Sequence, residues 1–417
     1  MPSTASAPLP NTATHQGRDR YLDTLRALAL FRVVAYHASP VMWFKWLPSM
    51  GIMFALAGSL MVRSMDKSAP RAVLNRLRRL LPVLWVFGAI WIPVMIWHDG
   101  TPGQWVDADG RSVPTWQLVF WLIPVGNPVG STWGVIGWGV LWYIKTYLLF
   151  VALSPLLLPV FRRLPWVTMA APFVLLALVE TEVLPIRDWW GSSIGDALTY
   201  LGCWLIGFAR ADGILQRMRL SALLAIGGAV ALAGVAWLLG PGNADATANG
   251  ENPLSLLNSN LAIGLFYFGS VFILMRFSFR MEWLTRFPLL DRTITIFNSR
   301  AVTIFLWHGI ALAIAVNVFS QIGVYQWYIW FPFGWVLIGA AVLLFGWIED
   351  VAARRKPELL PGGVRRPTPD QAADAALLAP PPAELDAAPV SPAPRANQRV
   401  ARDRPDDPDP DSPRLLP

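Results

Sequence analysis

An all-α membrane protein, a polytopic bundle of about ten transmembrane helices with both termini in the cytoplasm, is the fold class that three observations predict. The first is composition: 54% of the 417 residues are hydrophobic and 15% charged, and the mean hydropathy is +0.44. Soluble chains carry roughly 25% charged residues, so this one has too few charges to cover a water-facing surface of its size. The second is a series of apolar stretches near bilayer length. The third is the alternation of basic and acidic connections between those stretches.

A bilayer core takes about 20 apolar residues per helix. The candidate spans are 21–42, 47–62, 80–97, 135–161, 166–184, 195–209, 220–239, 256–277, 296–319 and 327–348. The sixth is short enough to need tilt or extension. The 22 Trp and 21 Phe suit aromatic belts at two interfaces. Residues 1–20, read as a cytoplasmic segment, lack an apolar core and a cleavage site, so the first span is expected to direct insertion itself.

Topology follows from the connections. Arg18 and Arg20 precede the first span, and Arg63, Lys67, Arg71, Arg76, Arg78 and Arg79 follow the second. Arg162 and Arg163 follow the fourth; Arg210, Arg217 and Arg219 follow the sixth. Arg276, Arg280, Arg286, Arg292 and Arg300 lie between the eighth and ninth, and Arg354, Arg355 and Lys356 follow the tenth. The intervening connections carry Asp99, Asp107, Asp109, Glu180, Glu182, Asp188, Asp245 and Glu251, with only Lys45, Arg111 and Arg187 against them. Basic connections face the cytoplasm. That places both ends of the chain inside and favours an even helix count, in an inner (plasma) membrane.

Two segments stand apart from the bundle of residues 21–350. Residues 98–134 form a long external loop rich in Gly, Pro and Trp; its apolar patch at 116–124 predicts order and partial contact with the membrane. Residues 351–417 are a Pro- and Ala-rich mixture with balanced charge, expected to be a disordered cytoplasmic tail and a site for a protein partner. The net charge of +7 therefore belongs to the membrane body. Its cations fall in separate loops and make no stripe, so nucleic acid is not an expected partner. A single Cys203 excludes an intrachain disulfide and a cysteine-rich metal site.

Chemistry is expected where ionisable residues interrupt apolar spans, because a charge near the bilayer centre costs several kcal/mol unless it pairs or serves a function. The first span holds Asp23, Arg26, Arg32 and His37 in "YLDTLRALALFRVVAYH". Eleven residues separate Arg26 from His37, which puts them within about 20° of one helix face and about 16 Å apart along the axis. Asp23, one turn before Arg26, can pair with it. Arg32 points about a third of a turn away from that face.

"NRLRRLLP" at 75–82 sets Arg76 and Arg79 on one face at the mouth of the third span. Guanidinium forks bind phosphate bidentately and keep their charge. Lys145 interrupts "LWYIKTYLLF" and His308 interrupts "IFLWHG". Histidine is the side chain best suited to proton transfer at neutral pH, and it also serves as a structural hydrogen bonder between helices. No His/Asp/Glu set has metal-ligand spacing, so no metal is expected.

These segments resemble the membrane acyltransferase-3 family, which includes O-acetyltransferases of bacterial surface polysaccharides. The first span is similar to the family's signature of an Arg, ten residues and a His, filled by Arg26 and His37. "PSMGIMFALAGSLMVRSM" resembles its second helix, and "RLRRLLPVLW" its Arg-x-x-Arg-aliphatic-x-Pro pattern, with Arg76, Arg79 and Pro82. "LWYIKTYLLFVALSP" resembles its Leu-Trp helix through Trp142. "SRAVTIFLWHGI" resembles its late segment, with Trp307 and His308. The resemblance runs over about 21–348. Many relatives carry a carboxylate shortly after the Leu-Trp pair, where this chain has Lys145 and Thr146.

The resemblance implies an acyl-CoA donor, acetyl-CoA in the first instance, taken at the cytoplasmic face as a substrate and not a resident cofactor. It implies an acceptor hydroxyl, on a cell-envelope glycan or another molecule, presented from the other side. On that basis Arg76 and Arg79, with Arg26, would hold the donor phosphates and His37 would be the general base. Asp23 would support Arg26, with Trp142, Lys145 and His308 as further supporting residues. Two other classes compete: a transporter or flippase for a lipid-linked glycan, and a scaffold that binds through its tail. Transporters commonly show internal repeats, and none is evident. A scaffold gives no reason for Arg26 and His37 on one buried face.

Overall fold

The computed structural model of the chain describes residues 19–106, 112–186, 189–243, 255 and 259–361. The N-terminal segment through Arg18, the tail beyond residue 361 and the loop charges Asp107, Asp109, Arg111, Arg187, Asp188, Asp245 and Glu251 lie outside the described residues. Among the described residues the structure is helical, with one isolated bridge between Val106 and Ser112.

Each of the ten apolar stretches holds a helix. They are α1 (Arg20–Ala38), α2 (Ser49–Met65), α3 (Ala69–Asp99), the turn α4 (Val135–Trp138) leading into α5 (Leu141–Arg163), α6 (Pro165–Glu180) and α7 (Trp189–Ala211). After the short α8 (Ile214–Arg217) come α9 (Leu220–Leu238), α10 (Asn260–Leu274), α11 (Pro288–Ser299), α12 (Ala301–Gln321), α13 (Trp327–Phe345) and the short α14 (Trp347–Ala352). Six helical segments are long and apolar enough to cross a membrane: Trp43–Met65, Ala69–Asp99, Val135–Arg163, Leu220–Leu238, Ala301–Gln321 and Trp327–Phe345. α6 and α10 are shorter apolar helices. α1 carries Arg20, Asp23, Arg26 and Arg32 in 19 residues and packs among α2, α11 and α12.

Small residues let the helices approach. α2 and α7 cross where Gly58 faces Gly207: a Cβ at Gly58 would collide with the Trp204 carbonyl, and one at Gly207 with the Ala55 carbonyl. The same device joins α9 to α10, with Gly269 against the backbone of Gly227 and Ala231. Part of the segment after α3 is folded back on that helix. Its 3-10 helix Thr115–Trp121 buries Trp121, which stacks on Phe87 at 6.2 Å and donates to the Val129 carbonyl at 2.8 Å.

Two sequence-based boundaries need correction. The third span, predicted at 80–97, lies within a helix of 31 residues that begins at Ala69. At 1.5 Å per residue α3 is about 46 Å long, more than the roughly 30 Å of a hydrocarbon core. Arg71 and Arg78, expected in the connection, therefore sit on helix, as do Arg76 and Arg79, expected on one face at the mouth of the span. Pro70 in the first turn favours that start. The ninth span, predicted as one helix over 296–319, breaks between Ser299 and Ala301. Arg300 is wholly buried there and donates to Asp350 at 2.6 Å and to the Glu358 carbonyl. Both bonds use Nη2, and the break at Arg300 coincides with that buried ion pair.

Candidate active site

α1 runs between two cavities. The larger, about 850 Å³, is bounded by the last turn of α2, the first turns of α3 and the facing sides of α1, α5 and α12. Six cations line it: Arg26 from α1, Arg63 from α2, Lys67 from the turn, and Arg71, Arg76 and Arg79 from α3. None of the six makes a salt bridge among the described residues. Two nearby carboxylates are already taken, because Arg162 binds Asp66 at 3.0 Å and Asp212 at 2.9 Å. Arg76 is steadied by the Ala72 carbonyl and the Ser64 hydroxyl, both at 3.3 Å.

One carboxylate, Glu349 of α14, lines this cavity. It accepts from the Thr303 amide at 2.8 Å and the Thr303 hydroxyl at 2.6 Å. Burial pushes its pKa above the usual carboxylate range, against the pull of those hydrogen bonds. The pair Arg300–Asp350 holds α14 in place.

The smaller cavity, about 490 Å³, opens along the same helix. Arg32, Tyr36 and His37 of α1 line it together with Lys45, Trp142 of α5 and Asp196 of α7. Both volumes fall within the range of small-molecule sites. The two cavities share Phe305 of α12. Around it the partition is aromatic: Tyr143 meets Phe305 at 4.9 Å, Phe54 meets Tyr143 at 4.9 Å, and His308 lies 5.7 Å from Phe305.

Arg26, Arg76 and Arg79 are thus brought together in one cavity. His37 lines the other. The spacing that sets Arg26 and His37 on one face of α1 delivers them to opposite sides of the same wall. Trp142 lines the second cavity and stacks on Tyr200 at 5.2 Å. His308 lines neither cavity; it is fully buried, with its ring 5.0 Å from that of His37. Its Nδ1 lies 2.6 Å from the Phe305 carbonyl, which can only accept, so Nδ1 carries the proton.

Two expectations change. Among the described residues Asp23 pairs with Arg20 at 3.5 Å and not with Arg26; Arg20 also pairs with Asp291 of α11. Asp23 acts on Arg26 only through its field. Lys145 is 1% exposed and lines neither cavity; it holds Asp196 at 3.1 Å. Asp196 comes from α7, so the pair ties α5 to α7. Sequence reasoning missed Asp196, Glu349 and Phe305, and took Arg63, Lys67 and Arg71 only as topology signals. A buried lysine on a helix calls for a carboxylate on a neighbour, and Asp196 is the only acid within the described part of α7.

The two cavities lie back to back along α1, one polycationic and the other bearing a histidine. The family model described as an acyltransferase domain, acyltransferase-3, matches residues 19–348, and the chain belongs to that family. The matched region includes Arg26, His37, Arg76, Arg79, Trp142, Lys145 and His308. The chain matches no curated protein and no solved structure.

Proposed function

We propose that this acyltransferase moves an acyl group, acetyl in the first instance, from cytoplasmic acyl-CoA to a hydroxyl of a cell-envelope glycan or a related acceptor. In this reading the chain lies in the inner membrane with ten spans and both termini in the cytoplasm. One observation carries it: α1 lends Arg26 to the cationic cavity and His37 to its neighbour, with a single aromatic wall between them. Six cations that make no salt bridge among the described residues suit a ligand with several phosphates. Arg26, Arg76 and Arg79, helped by Arg63, Lys67 and Arg71, hold the donor's phosphates. Its pantetheine arm extends past Phe305 toward His37.

The acceptor hydroxyl comes from the second cavity. His37 takes its proton while the oxygen bonds to the thioester carbonyl carbon. The carbon–sulfur bond then breaks, and the departing thiolate recovers the proton from the imidazolium. His308, behind His37, fixes the position of that ring.

The test uses the purified full-length protein in nanodiscs with acetyl-CoA. His37→Ala is expected to lower acyl transfer by about 10²- to 10⁴-fold while CoA still binds. Unchanged turnover in the variant returns His37 to a structural role. A wild type that neither binds CoA nor turns over the thioester overturns the reading and leaves the transporter.

A further inference from the structure

The mechanism above makes no use of Arg32. Arginine inside a membrane span is costly and pairs with an anion or serves a ligand, and a buried charge without a partner is destabilising. Arg32 is 9% exposed, lines the second cavity and makes no salt bridge among the described residues. Its guanidinium lies over the Tyr36 ring, 5.1 Å from the centroid, and faces the Tyr267 hydroxyl. Its Nε is shielded from solvent and has no hydrogen-bond partner.

Lys45 lines the same cavity, also without a carboxylate partner among the described residues. The one carboxylate on the wall, Asp196, is already committed to Lys145. The second cavity therefore holds two cations in excess, and one of them, Arg32, carries a buried donor without a partner. A neutral sugar would leave both unanswered.

Resting on the reading of this cavity as the acceptor site, we propose that the acceptor carries a fixed oxyanion beside its reacting hydroxyl. Arg32 seats that oxyanion and Lys45 assists. The class is a carboxylated or phosphorylated sugar, since guanidinium binds either group bidentately. His37 shares the cavity, so an oxyanion there also offsets the positive charge that the imidazolium adds during transfer.

The experiment is direct binding to full-length protein in nanodiscs with CoA saturating the first cavity, so that its cations do not report. Three probes are compared: methyl glucuronide, glucose 1-phosphate and methyl glucoside. At least one anionic probe is expected to bind about tenfold or more tightly than the glucoside; which one binds better separates the carboxylate source from the phosphate source. Arg32→Gln should abolish that preference, Arg32→Lys should keep part of it, and Lys45→Gln should reduce it. Equal binding of all three probes, no binding by any, or a preference that survives Arg32→Gln overturns the inference. Anion preference without acyl transfer would sink the catalytic reading and leave the anion site. Transfer to the neutral glucoside without anion preference would do the reverse.

Discussion

The larger cavity gathers six Lys and Arg side chains against one carboxylate, whereas the smaller sets two uncommitted cations among aromatic rings and a histidine. Five of the six cations of the larger cavity come from the end of α2, the turn after it and the first turns of α3, which extends beyond bilayer length. The smaller holds Arg32 in the middle of α1, where an arginine is tolerated only among partners. On the proposed reading the first cavity takes a polyanion near water and the second a single charged group at depth. The wall of Phe305 and Tyr143 keeps them apart, so each can be perturbed without touching the other.

The largest effect that would sharpen this contrast is expected from Arg76→Ala/Arg79→Ala. Losing two charge-assisted contacts at about 1.5 kcal/mol each should weaken CoA binding on the order of 100-fold. Calorimetry would register it, and anionic-sugar binding to the second cavity should stay the same. Comparable losses at both cavities would mean that the two are one site.

Lys145→Met comes next. It strands Asp196, and breaking a fully buried pair costs about 3–5 kcal/mol. The Asp196 side chain is 27% exposed, so water screens part of that and about 1–2 kcal/mol is the expected loss. A thermal melt in nanodiscs should show the fall, and Lys145→Met/Asp196→Asn should recover much of it. A neutral single variant would remove Asp196 from any charge-dependent role in the second cavity.

The smallest effect is expected from Glu349→Gln. The amide oxygen can keep the Thr303 hydrogen bonds while the only negative charge that lines the first cavity among the described residues disappears. CoA affinity should rise about threefold, in keeping with a partly screened charge pair. Glu349 titrates above the usual carboxylate range, so acidification through that raised pKa should tighten CoA binding to the wild type. Above it, where Glu349 is ionised, the wild type should bind CoA less tightly than the variant. Equal pH profiles for the two proteins would remove Glu349 from the donor site.

Much of the arrangement was legible in local pattern. Hydropathy located every apolar stretch that holds a helix, and an eleven-residue spacing placed Arg26 and His37 on one face before any neighbour was known. Helix limits were less legible. The early start of α3 depends on Pro70 and on helix continuing into water, and the break at Arg300 coincides with a pair to Asp350, 50 residues away. Site partners were the least legible: Asp23 chose Arg20, and Lys145 chose Asp196, 51 residues on.

By itself the sequence determined the helical membrane class, the concentration of cations around α3 and the shared face of α1, because periodicity and hydropathy act over one or two turns. Only the tertiary structure decided that this face opens into two cavities, that Phe305 separates them and that Arg32 is left without a carboxylate. The physical reason is that a buried charge takes its partner from whichever helix packs beside it. That neighbour is chosen by close crossings such as Gly58 on Gly207, which no local pattern specifies.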